Sequence, residues 1–344
     1  MAVTLNEIAK AAGVSRGTVD RALNDRGRIR PEVAARIKKI AEEMGYTTNV
    51  SGRALAMSGR PHVIGVILQF GDTPFIQEVL TGIQAAAEEV RQFGCEVVIR
   101  KIAGPGMDTN QTVAAMEAFI EARAYAIILV GSNDPILRSE IAKCEAEDIR
   151  VITLNSDVPD STRKFFVGQD ARRSGRVAAS VLGDIMEGTG SIAIFYGLEH
   201  TSQGERVRGF REVLRKNYPG IQILCEERTG NSAETLRGIA AESLAAHADI
   251  DGIYLCAEGA RELCAALRQA GRDRSTSVIV HDVAACRRED IVDRTIDYVI
   301  DDDGYGQGYQ AVHLLFLWYY HQKEPQEEYY YSDIRIINGY NLPG

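Results

Sequence analysis

Arg16 and Arg21 stand out in the segment Ser15-Arg-Gly-Thr-Val-Asp-Arg-Ala-Leu-Asn24, where Val19, Ala22 and Leu23 recur at helical spacing and Gly17, Asp20 and Asn24 fall on the other side. That pattern leaves two guanidinium groups on the exposed face of a short helix. Guanidiniums so placed can neutralise phosphates or fork onto the acceptor edge of guanine. A second set of residues follows apolar runs later in the chain: Phe70, Phe75, Asn133, Asp134, Asn155, Asp170, Glu258, Asp282 and the run Asp301-Asp302-Asp303. Carboxylates, amides and rings at such positions suit hydrogen bonding and stacking against a small polar ligand. Any one of them can also be a helix cap, Asp170 above all, since it opens a helical pattern.

The arginines need a helical scaffold, and the first 46 residues supply one. Thr4 and Glu7 form a capping box for a helix whose inward stripe is Ile8, Ala9 and Ala12. Gly13 can take the left-handed conformation that ends it, Val14 fills the gap, and Ser15 caps the next helix. A third helix opens at Pro31 and runs to Met44, with Gly45 beyond it. Two short helices about a tight turn form a helix-turn-helix, which puts its second helix into the DNA major groove. Residues 1–46 are therefore expected to be an all-α three-helix DNA-binding head, and the small, polar residues 47–61 a hinge.

From His62 the texture changes. Apolar runs at 63–68, 96–99, 126–131, 150–155, 191–197, 221–225, 252–256 and 277–282 alternate with amphipathic helical patterns. Short continuous apolar strands of this kind belong to parallel sheets covered on both faces. The expectation for 62–344 is an α/β two-lobed body of doubly wound parallel sheets. Lobe 1 would take about 62–186 and 303–322, and lobe 2 about 190–300 and 325–344. In such sheets ligands sit at the carboxyl ends of the strands.

Composition narrows the partners. The net charge of −9 over 344 residues hides an asymmetry: residues 1–61 hold 11 Lys/Arg against 6 Asp/Glu, the remainder 28 against 42. A basic head on an acidic body suits a protein that meets phosphates at one end. The six cysteines form no CxxC and no Cys/His cluster, so free thiols, no metal and a cytoplasmic location are expected. No charged-then-apolar leader and no apolar run near ~18 residues points to a membrane. Gly304-x-Gly306-x-Gly308 lacks the dinucleotide spacing, and no GxSxG, P-loop or HExxH accompanies His200, Ser202 or His281. No cofactor and no catalytic residue is assigned. A helix-turn-helix-fused α/β enzyme acting on a small carbohydrate is the competing reading.

Three segments, Thr4 to Asn24, Glu42-Glu-Met-Gly-Tyr46 followed by Asn49, and Gly52-Arg-Ala-Leu55, resemble the LacI/GalR family of bacterial transcriptional regulators. The resemblance implies a homodimer on a pseudo-palindromic operator and a body like the type I periplasmic sugar-binding proteins. It implies base reading by Arg16, Gly17 and Arg21 and phosphate contacts by Ser15, Thr18 and Asn24. Thr4, Tyr46, Asn49 and Arg53 would contact DNA too, and Leu55 would wedge into the minor groove. Gly17 has no side chain to read with, so discrimination would rest on the two arginines. Thr48 and Gly52 stand where the family usually has Pro and Ala, which would loosen the hinge helix.

In the body the resemblance implies an effector held by Phe75, Asp170, Arg206, Asp282 and Asp302, and the strand-end residues Asn133 and Glu258 complete the expected set. Ala257-Glu258 replaces the usual Asn-Asp pair, and Asp302 the usual Gln. So acidic a pocket disfavours an anionic ligand and suits a neutral sugar or polyol, with an amine-bearing ligand left open. The effector would release a repressor from its operator, or act as corepressor. A last strand pattern at 329–337 is followed by no leucine heptads, so a dimer is the default.

Overall fold

The computed structural model describes residues 3–23, 29–44, 62–104 and 106–343. Asn24, Tyr46, Asn49, Arg53 and Leu55 lie outside the described residues.

The head is three helices, α1 (Leu5–Ala12), α2 (Arg16–Leu23) and α3 (Pro31–Glu43). The capping box is present: the Thr4 backbone N–H donates to the Glu7 carboxylate at 2.7 Å while the Thr4 hydroxyl accepts from Glu7 N. Gly13, at φ 65° and ψ 34°, turns the chain, and Ser15 Oγ accepts from Thr18 N at 3.1 Å. Ile8, Ala12, Val19, Ala22, Ile37 and Ala41 close a small core between the helices. Arg36 on α3 donates to the Ala12 carbonyl at 2.8 Å, placing a cation on the C-terminus of α1.

The body has two sheets. In lobe 1 the chain runs β1 (His62–Leu68), α4 (Pro74–Arg91), β2 (Cys95–Lys101), α5 (Thr109–Glu121), β3 (Ala126–Leu129), α6 (Pro135–Ala146), β4 (Arg150–Leu154) and β5 (Phe166–Gly168). It then crosses to lobe 2: α7 (Ala171–Ile185), β6 (Thr189–Tyr196), α8 (Ser202–Asn217), β7 (Gly220–Arg228), α9 (Ala233–Ala246), β8 (Gly252–Cys256), α10 (Ala260–Gln269), β9 (Ser277–His281), α11 (Arg288–Val292) and β10 (Tyr298–Asp301). It returns to lobe 1 for α12 (Gly304–His321) and β11 (Tyr329–Tyr331), and crosses a third time to β12 (Arg335–Ile337).

The strand orders are β11-β5-β4-β3-β1-β2 and β12-β10-β9-β8-β6-β7. The pairings are parallel except for β12, which runs antiparallel to β10. Alternation divides each strand between two cores, as a sheet covered on both faces requires. In β1, Ile64, Val66 and Leu68 join the core under α4 and α12, whereas Ile67 joins Phe119 and Leu137 on the far face.

Two expectations are corrected. Helix α7 belongs to lobe 2, because Ala178, Ala179 and Leu182 pack with Ile192, Ile194 and Phe210; the crossing falls at Gln169–Asp170 and not near residue 186. An amphipathic stripe says that a helix covers a sheet, not which sheet. The pattern at 329–337 is two strands: β11 pairs with β5 in lobe 1 and β12 with β10 in lobe 2.

Glycines set the closest helix packing beside the cleft. A Cβ on Gly175 of α7 would lie 1.9 Å from the Arg206 carbonyl oxygen of α8. In lobe 1 a Cβ on Gly82 of α4 would stand 2.0 Å from the Tyr305 carbonyl oxygen of α12. Each pair approaches backbone to backbone, which only glycine permits.

Candidate functional site

On the head, Arg16, Gly17 and Arg21 are exposed along α2, with Ser15 and Thr18 at its start. The Ser15 and Thr18 hydroxyls lie 2.9 Å apart, and Arg21 Nε donates to the Gly17 carbonyl at 3.0 Å. That bond holds the Arg21 stem against its own helix, and Gly17 leaves room beside it.

In the body, the carboxyl ends of the strands from both lobes meet across one cleft. Ser202 N donates to Ser156 Oγ at 3.2 Å and Asn133 N to the His200 carbonyl at 2.8 Å, so the lobes touch at both places. Between them is a small cavity lined by Phe75, Arg206, Glu258, Asp282 and Asp302, together with Phe70, Asn155, Gln203 and Asn231. Five of the seven expected effector residues are thus brought together. Asn133 and Asp170 are not part of this cluster. Asn133 is exposed and accepts from Arg138 at 2.5 Å, and Asp170 caps α7 by accepting from Arg173 N at 2.9 Å. Both line neighbouring hollows.

The centre of the cavity is a buried ion pair. The Arg206 guanidinium bonds the Asp302 carboxylate, with the side chains 5% and 1% exposed. His281 Nδ1 faces the other Asp302 oxygen at 3.8 Å, and His281 Nε2 lies 2.9 Å from the Tyr254 hydroxyl. Phe210 and Tyr254 stack at 4.1 Å beneath this group. The backbone of Asp302 is fixed as well, its carbonyl accepting from Gln307 at 2.6 Å and from Ser332 at 3.2 Å. Arg206 Nε, Asp282 Oδ1 and Asp302 Oδ1 are buried with no hydrogen-bond partner. Polar atoms prepaid in this way ask for a ligand that brings both donors and acceptors.

The charges follow from the surroundings. Burial penalises the Asp302 carboxylate, but Arg206 and His281 outweigh it and hold its pKa below the ordinary value. Burial and the adjacent Asp302 push the Asp282 pKa well up, against the pull of Arg206. Burial and the Arg206 charge bring His281 down to about 4, leaving it neutral. Burial, with Glu262 nearby, raises Glu258 to about 7.

Raised acids favour the fold while protonated. Between the ordinary carboxyl value of 4.5 and about 7, the unfolded chain ionises Glu258 before the folded chain does. The Glu258 contribution is therefore complete below pH 4.5 and lost as pH rises through 7. Thermal melts from pH 5 to 8 should show the wild type losing more stability than Glu258→Gln. Parallel curves would remove Glu258 from the pH dependence.

The elements also explain how the side chains come to point inward. Phe70, Asn155, Asn231 and Asp282 all have positive φ, at 56°, 61°, 60° and 64°. Non-glycine residues adopt this region at a cost, and here it turns four strand ends toward one cavity. Asp282, at ψ 103°, lies outside the usual left-handed well.

Comparison with known proteins agrees with this geometry. The model for bacterial regulatory proteins of the lacI family matches residues 4–49, and that for the periplasmic binding protein domain matches 64–317. The chain belongs to the periplasmic binding protein domain family over its body and carries a lacI-family helix-turn-helix head. It is 29% identical over 226 residues to the probable HTH-type transcriptional repressor ExuR of Bacillus subtilis, covering 64% of this chain and 62% of that one. It is also 29% identical over 259 residues to the HTH-type transcriptional regulator GntR of Pseudomonas aeruginosa, covering 74% and 71%. Among solved structures, the glucose-galactose binding protein GanP of Geobacillus stearothermophilus superposes with a TM-score of 0.75 at 22% identity, covering 83% of this chain and 99% of GanP. A solute binding protein of Burkholderia graminis crystallised with D-arabinose gives 0.74 at 22%, covering 82% and 96%. These structures share the fold.

In the cleft, sequence reasoning missed Gln203 and Asn231. Gln203 Nε2 donates to Asn231 Oδ1 at 2.8 Å, and the same oxygen accepts from Glu258 N at 3.1 Å. The signal was available: Asn231 follows Gly230 after a strand, a pairing that marks left-handed turns. Among the described residues no group of three or more His, Cys, Asp or Glu could hold a metal ion, and no helix is long and apolar enough to cross a membrane.

Proposed function

We propose that this protein is a ligand-responsive transcriptional regulator, a repressor that binds a pseudo-palindromic operator as a homodimer and is released by a neutral sugar or polyol. The head supports the DNA side: α2 offers Arg16 and Arg21 beside a blank Gly17 on an exposed face. The observation that carries the ligand side is the buried Arg206–Asp302 pair, beside Asp282 and with orphaned polar atoms on all three residues. Vicinal hydroxyls can bridge a carboxylate and a guanidinium, and Phe70 and Phe75 can cover C–H surface. An anionic ligand would meet Asp302 in a dry site. The LacI family is one of regulators and not of enzymes, which sets the competing reading aside. Its working place would be the cytoplasm, with DNA.

The test has two parts. Duplexes selected from a random pool should yield a pseudo-palindrome, and a member of a sugar and polyol panel should weaken binding to it. Moving DNA occupancy from 99:1 to 1:99 needs about 5.5 kcal/mol of differential affinity. A panel that changes neither melting temperature nor DNA binding would sink the ligand assignment. Arg21→Ala should weaken the selected site about 5- to 150-fold, from a loss of about 1–3 kcal/mol, with much less effect on random DNA. Equal loss on both would assign Arg21 to phosphate.

A further inference from the structure

The cleft holds a second space that the buried ion pair does not account for. A second hollow adjoins the inner cavity, and Asn155, Thr201 and Ser202 line both. Its wall is the edge strand β11. Tyr329 and Tyr331, two residues apart on one face of that strand, stack at 5.3 Å with their planes 16° apart, and they are 41% and 50% exposed. Phe166 on neighbouring β5 meets each ring edge-on, at 6.3 and 6.2 Å. Such rings on a solvent-facing strand are costly to leave uncovered. Arg163 lies 5.0 Å from the Tyr329 ring and pairs with Asp157 at 2.6 Å, which holds the platform in place.

The polar side of the hollow is built too. Gln169 is 3% exposed; its amide nitrogen donates to the Asp301 and Asp333 carbonyls at 3.1 Å each, and its Oε1 is buried with no partner. Gln169 lines the hollow together with Asp170, Glu205 and Arg208. Four carboxylates, Asp157, Asp170, Glu199 and Glu205, stand against the guanidiniums of Arg172 and Arg208, so the lining does not favour an anion.

We infer that the outer hollow is a second glycosyl subsite, and that the ligand is a neutral disaccharide or longer glycoside. Its first ring lies against Arg206, Asp282 and Asp302, and its second against the exposed Tyr331 ring that ends the Tyr329–Tyr331 stack. The inference rests on the sugar reading proposed above. The chemistry of the two spaces divides the ligand in this way. Hydroxyls buried among ionised groups fix the inner ring. The outer ring presents a C–H face to aromatic surface and its hydroxyl edge to Gln169 Oε1 and the rim. Asn155, Thr201 and Ser202 are the shared wall along which a glycosidic link would run.

The full-length protein is titrated calorimetrically with glucose, galactose and arabinose, and then with maltose, cellobiose, lactose and melibiose. At least one disaccharide is expected to bind ten-fold or more tightly than its constituent monosaccharides. Tyr331→Ala should erase that advantage while leaving monosaccharide affinity within about two-fold, and Tyr331→Phe should keep it. A monosaccharide that binds as tightly as any disaccharide overturns the inference and leaves the proposed function standing. So does a Tyr331→Ala variant that loses affinity for both classes equally. Failure of every sugar to bind overturns both.

Discussion

Arg206→Ala is expected to destabilise the body by about 3–5 kcal/mol and to abolish ligand binding, while DNA binding by the head persists. The reason is what the substitution leaves behind. Asp302 is 1% exposed, and its carboxylate is held ionised by Arg206 against the burial penalty. Without the guanidinium, two adjacent buried carboxyls remain, and burial together with that crowding already pushes the Asp282 pKa well up. Asp302 must then take up a proton in the folded state, so its pKa moves from below to above the unfolded value. The sign of its linkage reverses: the variant should gain stability as pH falls from 7 toward 4, where the wild-type pair has no such need. Urea denaturation at pH 5 and pH 8 measures both quantities. A double replacement, Arg206→Met with Asp302→Leu, should recover much of the loss, since removing both charges leaves nothing unpaired. A single variant as stable as wild type at pH 8 would mean that the pair is hydrated in solution.

Gly175→Ala should cost about 2–3 kcal/mol and weaken ligand binding at least ten-fold, although a methyl group is all that is added. The new Cβ would lie 1.9 Å from the Arg206 carbonyl oxygen, and a backbone atom cannot swing aside as a side chain can. Helix α8 must retreat by more than 1 Å, carrying Arg206 away from Asp302. Gly238→Ala on α9 is the control, because nothing lies within 4 Å of its Cβ. There the same change should stabilise by about 0.4–1 kcal/mol, through helix propensity and a stiffer unfolded chain. Equal effects at the two sites would mean that the α7–α8 approach is not tight.

How much of this was legible beforehand depends on which signal each residue sends. Period-3.6 stripes and caps announced the head, because every residue from Thr4 to Leu23 obeys local rules. Apolar runs announced the strands, because sheets covered on both faces leave no polar alternation to confuse them. The cluster of Phe75, Arg206, Glu258, Asp282 and Asp302 was reachable through family resemblance plus the rule that ligands meet strand ends. Asp170 and Asn133 sit at equivalent strand ends yet serve as helix cap and rim, a distinction that depends on where neighbouring side chains go. Gln203 and Asn231 escaped because their partnership joins a helix start to a turn 28 positions away. The Tyr329–Tyr331 platform escaped because a run of three tyrosines says strand, and nothing in it says which sheet or which opening it flanks.

The interlaced path of the chain has a consequence for its synthesis. The lobe 1 core needs Ala311, Val312, Leu315 and Phe316 of α12 to cover α4, and its sheet needs β11 at the far edge. Helix α4 ends at Arg91 and α12 begins at Gly304. At about 5–20 residues per second, translation leaves that apolar face waiting on the order of 10–40 s. The head needs only its first three helices and can fold almost as soon as it emerges. Lobe 2 lacks only its edge strand β12 when β10 is complete. On the ribosome the order is therefore head, then second lobe, then first. A nascent chain would have its helical head formed well before the cleft between the lobes is complete, with the exposed flank of α4 as the part most in need of a chaperone.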